Sequence, residues 1–221
     1  TRAYAAMMAS LDDGVGKIVA TLKDQGLYEN TLLVFINDNG AATGNYSDNG
    51  NLRGLKGSKW EGGIRVACLM QLPGKIPAGA IYHQPVTALD IMPTIVAAAG
   101  AKPIEGQLTD GKNLLPYLAK PKRRGPHQDL FWRRGIASAV RSGDWKLIKA
   151  AENPLLLFNL KKDTSETNNL ALIKGAKTRQ LHRKLSKWEK QMDSPHWDSD
   201  YGDYNQIMKH RMEVIGREME L

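Results

Sequence analysis

The 221-residue chain has one cysteine, Cys68, which excludes an intrachain disulfide and says little about redox compartment. It also lacks any apolar run near the roughly 18 residues of a membrane-crossing helix, so no membrane span is expected. Its opening, TRAYAAMMASLDD, has no initiator methionine and no basic-then-apolar leader. It starts inside a helical pattern, as a fragment or a processed chain would. Apolar residues make up 42% and charged residues 24%, which excludes the disordered and collagen-like classes. Acidic residues are scarce in one half only. Residues 1–110 hold 9 Lys and Arg against 10 Asp and Glu, whereas residues 111–221 hold 22 against 13, and the net charge is +8. A basic half can signal nucleic acid. Here the cations are scattered, with one short cluster at Lys120–Arg124 and no nucleic-acid module, so no nucleic-acid partner is expected. Attraction to an anionic, polymeric substrate accounts for the charge as well.

Apolar residues at 4, 7, 8, 11, 15, 18, 19 and 22 predict a helix with one buried stripe, stopped at Gly26. Asp12 and Asp13 fall on its solvent side. A buried strand follows at Thr31–Ile36, and a second is expected at Ile64–Leu72, ended by Pro73-Gly74. Cys68 lies within that apolar run and is expected to be a buried, inert thiol. Asp90 is placed as the N-cap of a helix over Ile91–Ala99, stopped by Gly100. The Pro-, Gly- and charge-rich stretch Lys102–Pro126 reads as a connection. Alternating runs at Asp129–Arg134, Ile136–Arg141, Trp145–Ala150 and Leu155–Asn159 predict a small antiparallel sheet. The basic helix Ala176–Met192, apolar at Leu181, Leu185 and Trp188, is suited to pack on it. Asp163–Asn169 reads as a turn, because the D-x-D-x-D-G spacing of a calcium loop is absent. The tail from Ser194, with Trp197, Tyr201 and Tyr204, ends in a charged helical pattern.

Chemistry concentrates between Thr31 and Arg65. The first strand ends in Asn37-Asp38-Asn39-Gly40, where polar groups leave the sheet. Asp38 and Asn39 offer oxygens of the kind that Ca²⁺ or Mg²⁺ prefers, although D-N-G alone fits a hairpin turn equally. The polar, Gly- and Asn-rich stretch Ala41–Lys59 is long enough to be functional or mobile. It carries Lys56 between Gly54 and Gly57 and leads to Glu61-Gly62-Gly63. Paired glycines let backbone approach a ligand, and an ammonium supplies a point charge for an oxyanion.

In this order and spacing, Asp38-Asn39-Gly40, the L-R-G-x-K-G-x-x-x-E-G-G-I-R of Leu52–Arg65 and the V-x-x-x-D-x-x-P-T of Val86–Thr94 resemble the sulfatase family, in its arylsulfatase-like branch of the alkaline phosphatase superfamily. SGDWKLI and LFNLKKDTSETNNLA resemble that family's usual ending. The resemblance implies an α/β fold: the C-terminal part of a sulfatase-like α/β sandwich (1–101), a connection (102–126), and a smaller C-terminal subdomain of antiparallel sheet, packed helix and tail (127–221). It implies hydrolysis of an aryl or carbohydrate sulfate ester with a divalent cation, Ca²⁺ in preference to Mg²⁺, and a formylglycine whose hydrated aldehyde attacks sulfur. Asp38 and Asn39 then match the late pair of metal ligands, and Lys56 matches the lysine that contacts sulfate. Lys59 stands at the wrong offset. None of the 10 prolines has Cys or Ser two positions before it, so the C/S-x-P-x-R motif is absent, as are the earlier Asp ligands. The formylglycine is expected on an N-terminal segment of the same protein, the chain alone is expected to be inactive, and a periplasmic, secreted or lysosomal-type location follows from the family. Asn37 and Ala67 depart from the common Ser and Pro. Two alternatives stay open: a phosphomonoesterase or phosphonate hydrolase of the same superfamily, and a non-catalytic polyanion-binding domain.

Overall fold

The computed structural model describes residues 2–42, 44, 46–107, 109–120, 124–150 and 153–193. The aromatic tail from Ser194, with the helix expected there, lies outside the described residues. In chain order the elements are α1 (Arg2–Asp24), β1 (Leu33–Ile36), α2 (Glu61–Ile64), β2 (Cys68–Gln71), α3 (Ile91–Ala98), α4 (Leu115–Leu118), β3 (Asp129–Arg134), β4 (Ala137–Ser142), β5 (Trp145–Ala150), β6 (Leu156–Asn159) and α5 (Gly175–Glu189). They fall into two packing units. One holds α1, β1, β2, α3 and α4; the other holds α2, the polar loop that precedes it, β3–β6 and α5.

In the first unit, α1 forms where the spacing places it, but none of its residues is buried. Met7, Leu11 and Ile18 are 68%, 47% and 57% exposed. The expected buried stripe is therefore corrected: the stripe exists, and nothing among the described residues covers it. β1 and β2 pair antiparallel, from Leu33 opposite Gln71 to Ile36 opposite Cys68. Both are shorter and wetter than the two buried strands expected, because a two-stranded ribbon cannot exclude water from its faces. Ile64 belongs to α2 instead. Cys68 is exposed, against the expectation of a buried thiol, although partial burial still raises its pKa, so it stays mostly protonated at neutral pH.

Asp90 is fully buried. Its carboxylate accepts from the backbone N–H of Thr87 at 2.9 Å and of Lys112 at 2.7 Å, and lies 2.8 Å from His127 Nε2. Asp90 stands at the N-cap position of α3 as expected, but its side chain makes no cap bond there and closes the capping box of the preceding 3₁₀ turn instead. Thr94 Oγ1 donates to the Asp90 carbonyl at 2.6 Å and accepts from Leu114 N–H at 2.9 Å. The Val86–Thr94 motif is in this way a brace that ties the segment around Lys112–Leu114 to α3.

The second unit is built on the antiparallel meander β3-β4-β5-β6, as the alternating runs predict. Its registers place Val140 opposite Leu147, and Leu147 opposite Leu157, on one face. Leu181 and Leu185 of α5 pack there. Each such buried aliphatic side chain contributes about 1.5–3 kcal/mol. Phe131 stacks on Trp188 at 5.1 Å and 9°, and Lys184 Nζ reaches Asp129 at 2.7 Å. Ala139, Ile148, Leu156 and Phe158 line the opposite face, where Trp60 of the polar loop packs, its ring 5.4 Å from that of Phe158. The Asp163 carboxylate accepts from the N–H groups of Thr167 and Asn168 at 3.0 and 2.9 Å, the turn expected in place of a calcium loop.

Candidate functional site

The loop that carries the candidate residues rests on a buried ion cluster. Glu61 opens α2 and is 2% exposed, Lys146 of β5 is fully buried, and so is Glu166 in the turn after β6. Lys146 Nζ lies 2.9 Å from Glu61 Oε1 and 2.8 Å from Glu166 Oε1. Glu166 Oε2 accepts the Glu61 N–H at 2.6 Å, and Arg141 stands 3.6 Å from Glu61 Oε2. Burial pushes the Glu166 carboxyl up, while Lys146 and the Glu61 N–H pull it down without reversing the shift. Glu166 also has φ +53°, a left-handed conformation that costs a non-glycine residue about 1 kcal/mol or more. Its carboxylate bonds, and the bond from Arg53 to its carbonyl at 2.9 Å, hold it there.

On this base the two candidate loops are stitched together by backbone. The Lys56 N–H donates to the Ala41 carbonyl at 2.8 Å, and the Gly40 N–H to Gly63 at 3.3 Å. Asn49 is the staple: its Oδ1 accepts from Ala41 N–H and its Nδ2 donates to the Gly54 carbonyl, each at 2.8 Å. The glycines serve this packing. A Cβ on Gly62 would come within 2.5 Å of the Arg53 and Gly54 carbonyls, and one on Gly63 within 2.5 Å of Ser58 Oγ. The expected role of paired glycines, close approach of a ligand, is corrected to close approach of the loop to itself. Gly57, at φ +89°, turns the chain immediately after Lys56.

Asp38 and Lys56 are exposed and Asn39 is half-buried. Asn39 Nδ2 donates to the Gly40 carbonyl at 2.8 Å, a bond that leaves its Oδ1 available as a donor oxygen. The donor chemistry fits a hard cation. The number does not complete a site: among the described residues no group of three His, Cys, Asp or Glu is placed to hold a metal, and Ca²⁺ takes about six to eight oxygens. Lys59 differs from Lys56 in every respect. It is 6% exposed, and burial, followed by the charges of Arg134 and Lys146, lowers its pKa to about 8. Ser58 is buried, and its hydroxyl has no hydrogen-bond partner among the described residues.

Asn49, Lys146 and Glu166 escaped the reading from sequence. Lys146 did leave a signal: it sits in W-K-L-I in phase with Ile148, an inward position of an alternating strand. Asn49 left none within an Asn-rich loop.

The chain is α/β, with oxygen donors after a strand end and a cationic Gly-rich loop following them in sequence. Residues 1–101 match the family model described as Sulfatase. Steryl-sulfatase of Mus musculus is 35% identical over 157 residues, 65% of this chain and 25% of that protein. Human arylsulfatase A is 34% identical over 195 residues, 74% of this chain and 38% of that protein. The crystal structure of Ps i-CgsB in complex with k-i-k-neocarrahexaose superposes with a TM-score of 0.82 at 36% identity, covering 93% of this chain and 47% of that one. The chain belongs to the sulfatase family, and it spans from a quarter to about half the length of these relatives.

Proposed function

We propose that this chain forms the C-terminal part of a sulfuric ester hydrolase, acting on a sulfated carbohydrate or aryl sulfate. In this reading Asp38 and Asn39 contribute to a divalent-cation site, and Lys56 contacts the sulfate group. The observation that carries it is the stitching of the Asp38–Ala41 turn to the Lys56 turn through Ala41, Asn49 and Gly63. It fixes two oxygen donors and an exposed ammonium on one rigid base. The similarity to Ps i-CgsB, whose crystal structure holds k-i-k-neocarrahexaose, supports a carbohydrate sulfate.

A cation of the Ca²⁺ type bound there would draw charge from the sulfate oxygens. The chain's own residues bind and orient. Asp38 supplies a carboxylate, exposed and with no partner among the described residues, and Asn39 supplies a neutral oxygen. The Lys56 ammonium, carried on main chain that is held by its own N–H bond to Ala41, would meet charge developing on a sulfate oxygen. Lys146, Glu61 and Glu166 keep the loop from moving. The nucleophile is expected to be a formylglycine on an N-terminal segment of the same protein, because this sequence holds no motif for it, and the chain alone is expected to be inactive.

The test is kinetic, in the assembled enzyme. Lys56→Ala should lower kcat/KM by an amount worth roughly 2–4 kcal/mol, whereas Lys59→Met should leave it within a few-fold. Equal losses from the two, or none from Lys56→Ala, would place the sulfate contact elsewhere.

A further inference from the structure

A groove of about 630 Å³ opens on the α5 side of the meander, lined by Trp145, Ile173, Lys174, Lys177, Gln180 and Arg183 among others. That volume is within the range of clefts for small ligands, about 300–1,000 Å³. It is separate from the Lys56 loop. Trp145 packs on the Leu147 face with α5, whereas its neighbour Lys146 reaches Glu61 beneath the opposite face.

The groove's chemistry is one-sided. Between Thr167 and Trp188 the sequence has no acidic residue and six Lys or Arg. Lys184 of these is paired with Asp129, but Lys174 and Arg183 are exposed, and among the described residues neither forms an ion pair. Lys177 Nζ stands 5.9 Å from the Trp145 ring centroid and donates to Gln180 Oε1 at 2.8 Å. The groove therefore offers cations spaced along one helix, an amide and an aromatic edge, with the exposed aliphatic Ile173 at its rim. Like charges gathered this way repel one another and gain from an anion that bridges them. An occupant with several spaced anionic groups and an apolar ring face between them fits this lining; an acidic peptide would leave the aromatic and aliphatic parts unused.

We propose that this groove is a second binding site, for the sulfated sugars of an anionic carbohydrate chain, outside the Lys56 loop. The inference rests on the reading of a carbohydrate sulfate as substrate.

The experiment titrates a sulfated galactan hexasaccharide, and its chemically desulfated form, into the full 221-residue chain, following affinity by calorimetry and the Trp145 indole N–H by NMR. The chain should bind the sulfated form, weaken on added salt and shift the Trp145 signal. Lys174→Glu/Arg183→Glu should lose about 10-fold or more in affinity, and Lys17→Ala, at an exposed position of α1, should keep it. Both positions are exposed, and if the double reversal perturbs the melt, Lys174→Ala and Arg183→Ala each serve, at a loss of about three-fold. Unchanged affinity in the groove variants with loss in Lys56→Ala would overturn the second site and leave the sulfated substrate standing. Equal binding of the desulfated sugar, or tighter binding of an RNA oligomer of equal charge, would overturn its chemistry. Absence of any saccharide binding would overturn it outright, while turnover of a small aryl sulfate by the assembled enzyme judges the catalytic reading separately.

Discussion

α1 and α5 carry the same kind of apolar stripe, and the chain treats them oppositely. In α5, Leu181 and Leu185 are 1% and 0% exposed against the meander. In α1, Met7 and Leu11 face water. Periodicity fixes which face of a helix is apolar; it does not say whether the same chain supplies the cover. The contrast extends to strands. The four-stranded meander buries both faces, one under α5 and one under the Trp60 loop, while the β1–β2 ribbon stays half-wet. The candidate loop draws its rigidity from the well-covered unit.

The largest effect that bears on this contrast is expected at Lys146. Lys146→Met leaves Glu166 buried without its counter-charge and Glu61 with Arg141 alone, and should cost about 3–5 kcal/mol in urea unfolding followed by tryptophan fluorescence. A loss below about 1 kcal/mol would mean that the cluster does not hold the loop. Next comes the direct comparison of the two stripes. Leu185→Ala should cost about 2–4 kcal/mol, and Leu11→Ala less than about 0.5 kcal/mol. Similar costs would show that α1 is covered in solution.

A smaller effect, of opposite sign, is expected at Lys59. Its folded pKa of about 8 lies below the ordinary value near 10.5, so below pH 8 both folded and unfolded chains carry the proton and the folded state bears the full cost of the buried charge. Between pH 8 and about 10.5 the unfolded chain binds more protons, and stability from this group rises with pH. Lys59→Met should therefore be more stable than the parent by about 1–3 kcal/mol at pH 7, with the gap closing by about pH 10.5. A gap independent of pH would refute the burial of a charged Lys59.

Much of the fold could be read from residue patterns. The meander strands begin and end within one residue of the positions set by alternation and by the turns at Ser142-Gly143-Asp144 and Asn153-Pro154, and α5 starts one residue before and ends three residues before its expected bounds. What the pattern could not give was cover: α1, β1 and Cys68 were read as buried because apolar runs usually are, and burial depends on partners that local sequence does not name. The site was legible in part. Asp38, Asn39 and Lys56 stood out because unusual residues follow a strand and sit among glycines. The base beneath them was not, because Glu61, Lys146 and Glu166 are 20 to 105 positions apart and only the meander brings them together. The glycines of Glu61-Gly62-Gly63 were legible as a close approach, but not as an approach of the loop to its own carbonyls.

The central claim is that this chain holds the cation-and-sulfate part of a sulfatase site and lacks the nucleophile. The most direct test measures aryl sulfate hydrolysis with added Ca²⁺, first by the purified 221-residue chain and then by the chain joined to a sulfatase N-terminal segment matured to formylglycine. The account predicts no turnover in the first case, and turnover in the second that Lys56→Ala lowers by an amount worth roughly 2–4 kcal/mol. Hydrolysis by the chain alone, with mass spectrometry finding no co-purified segment, would contradict it.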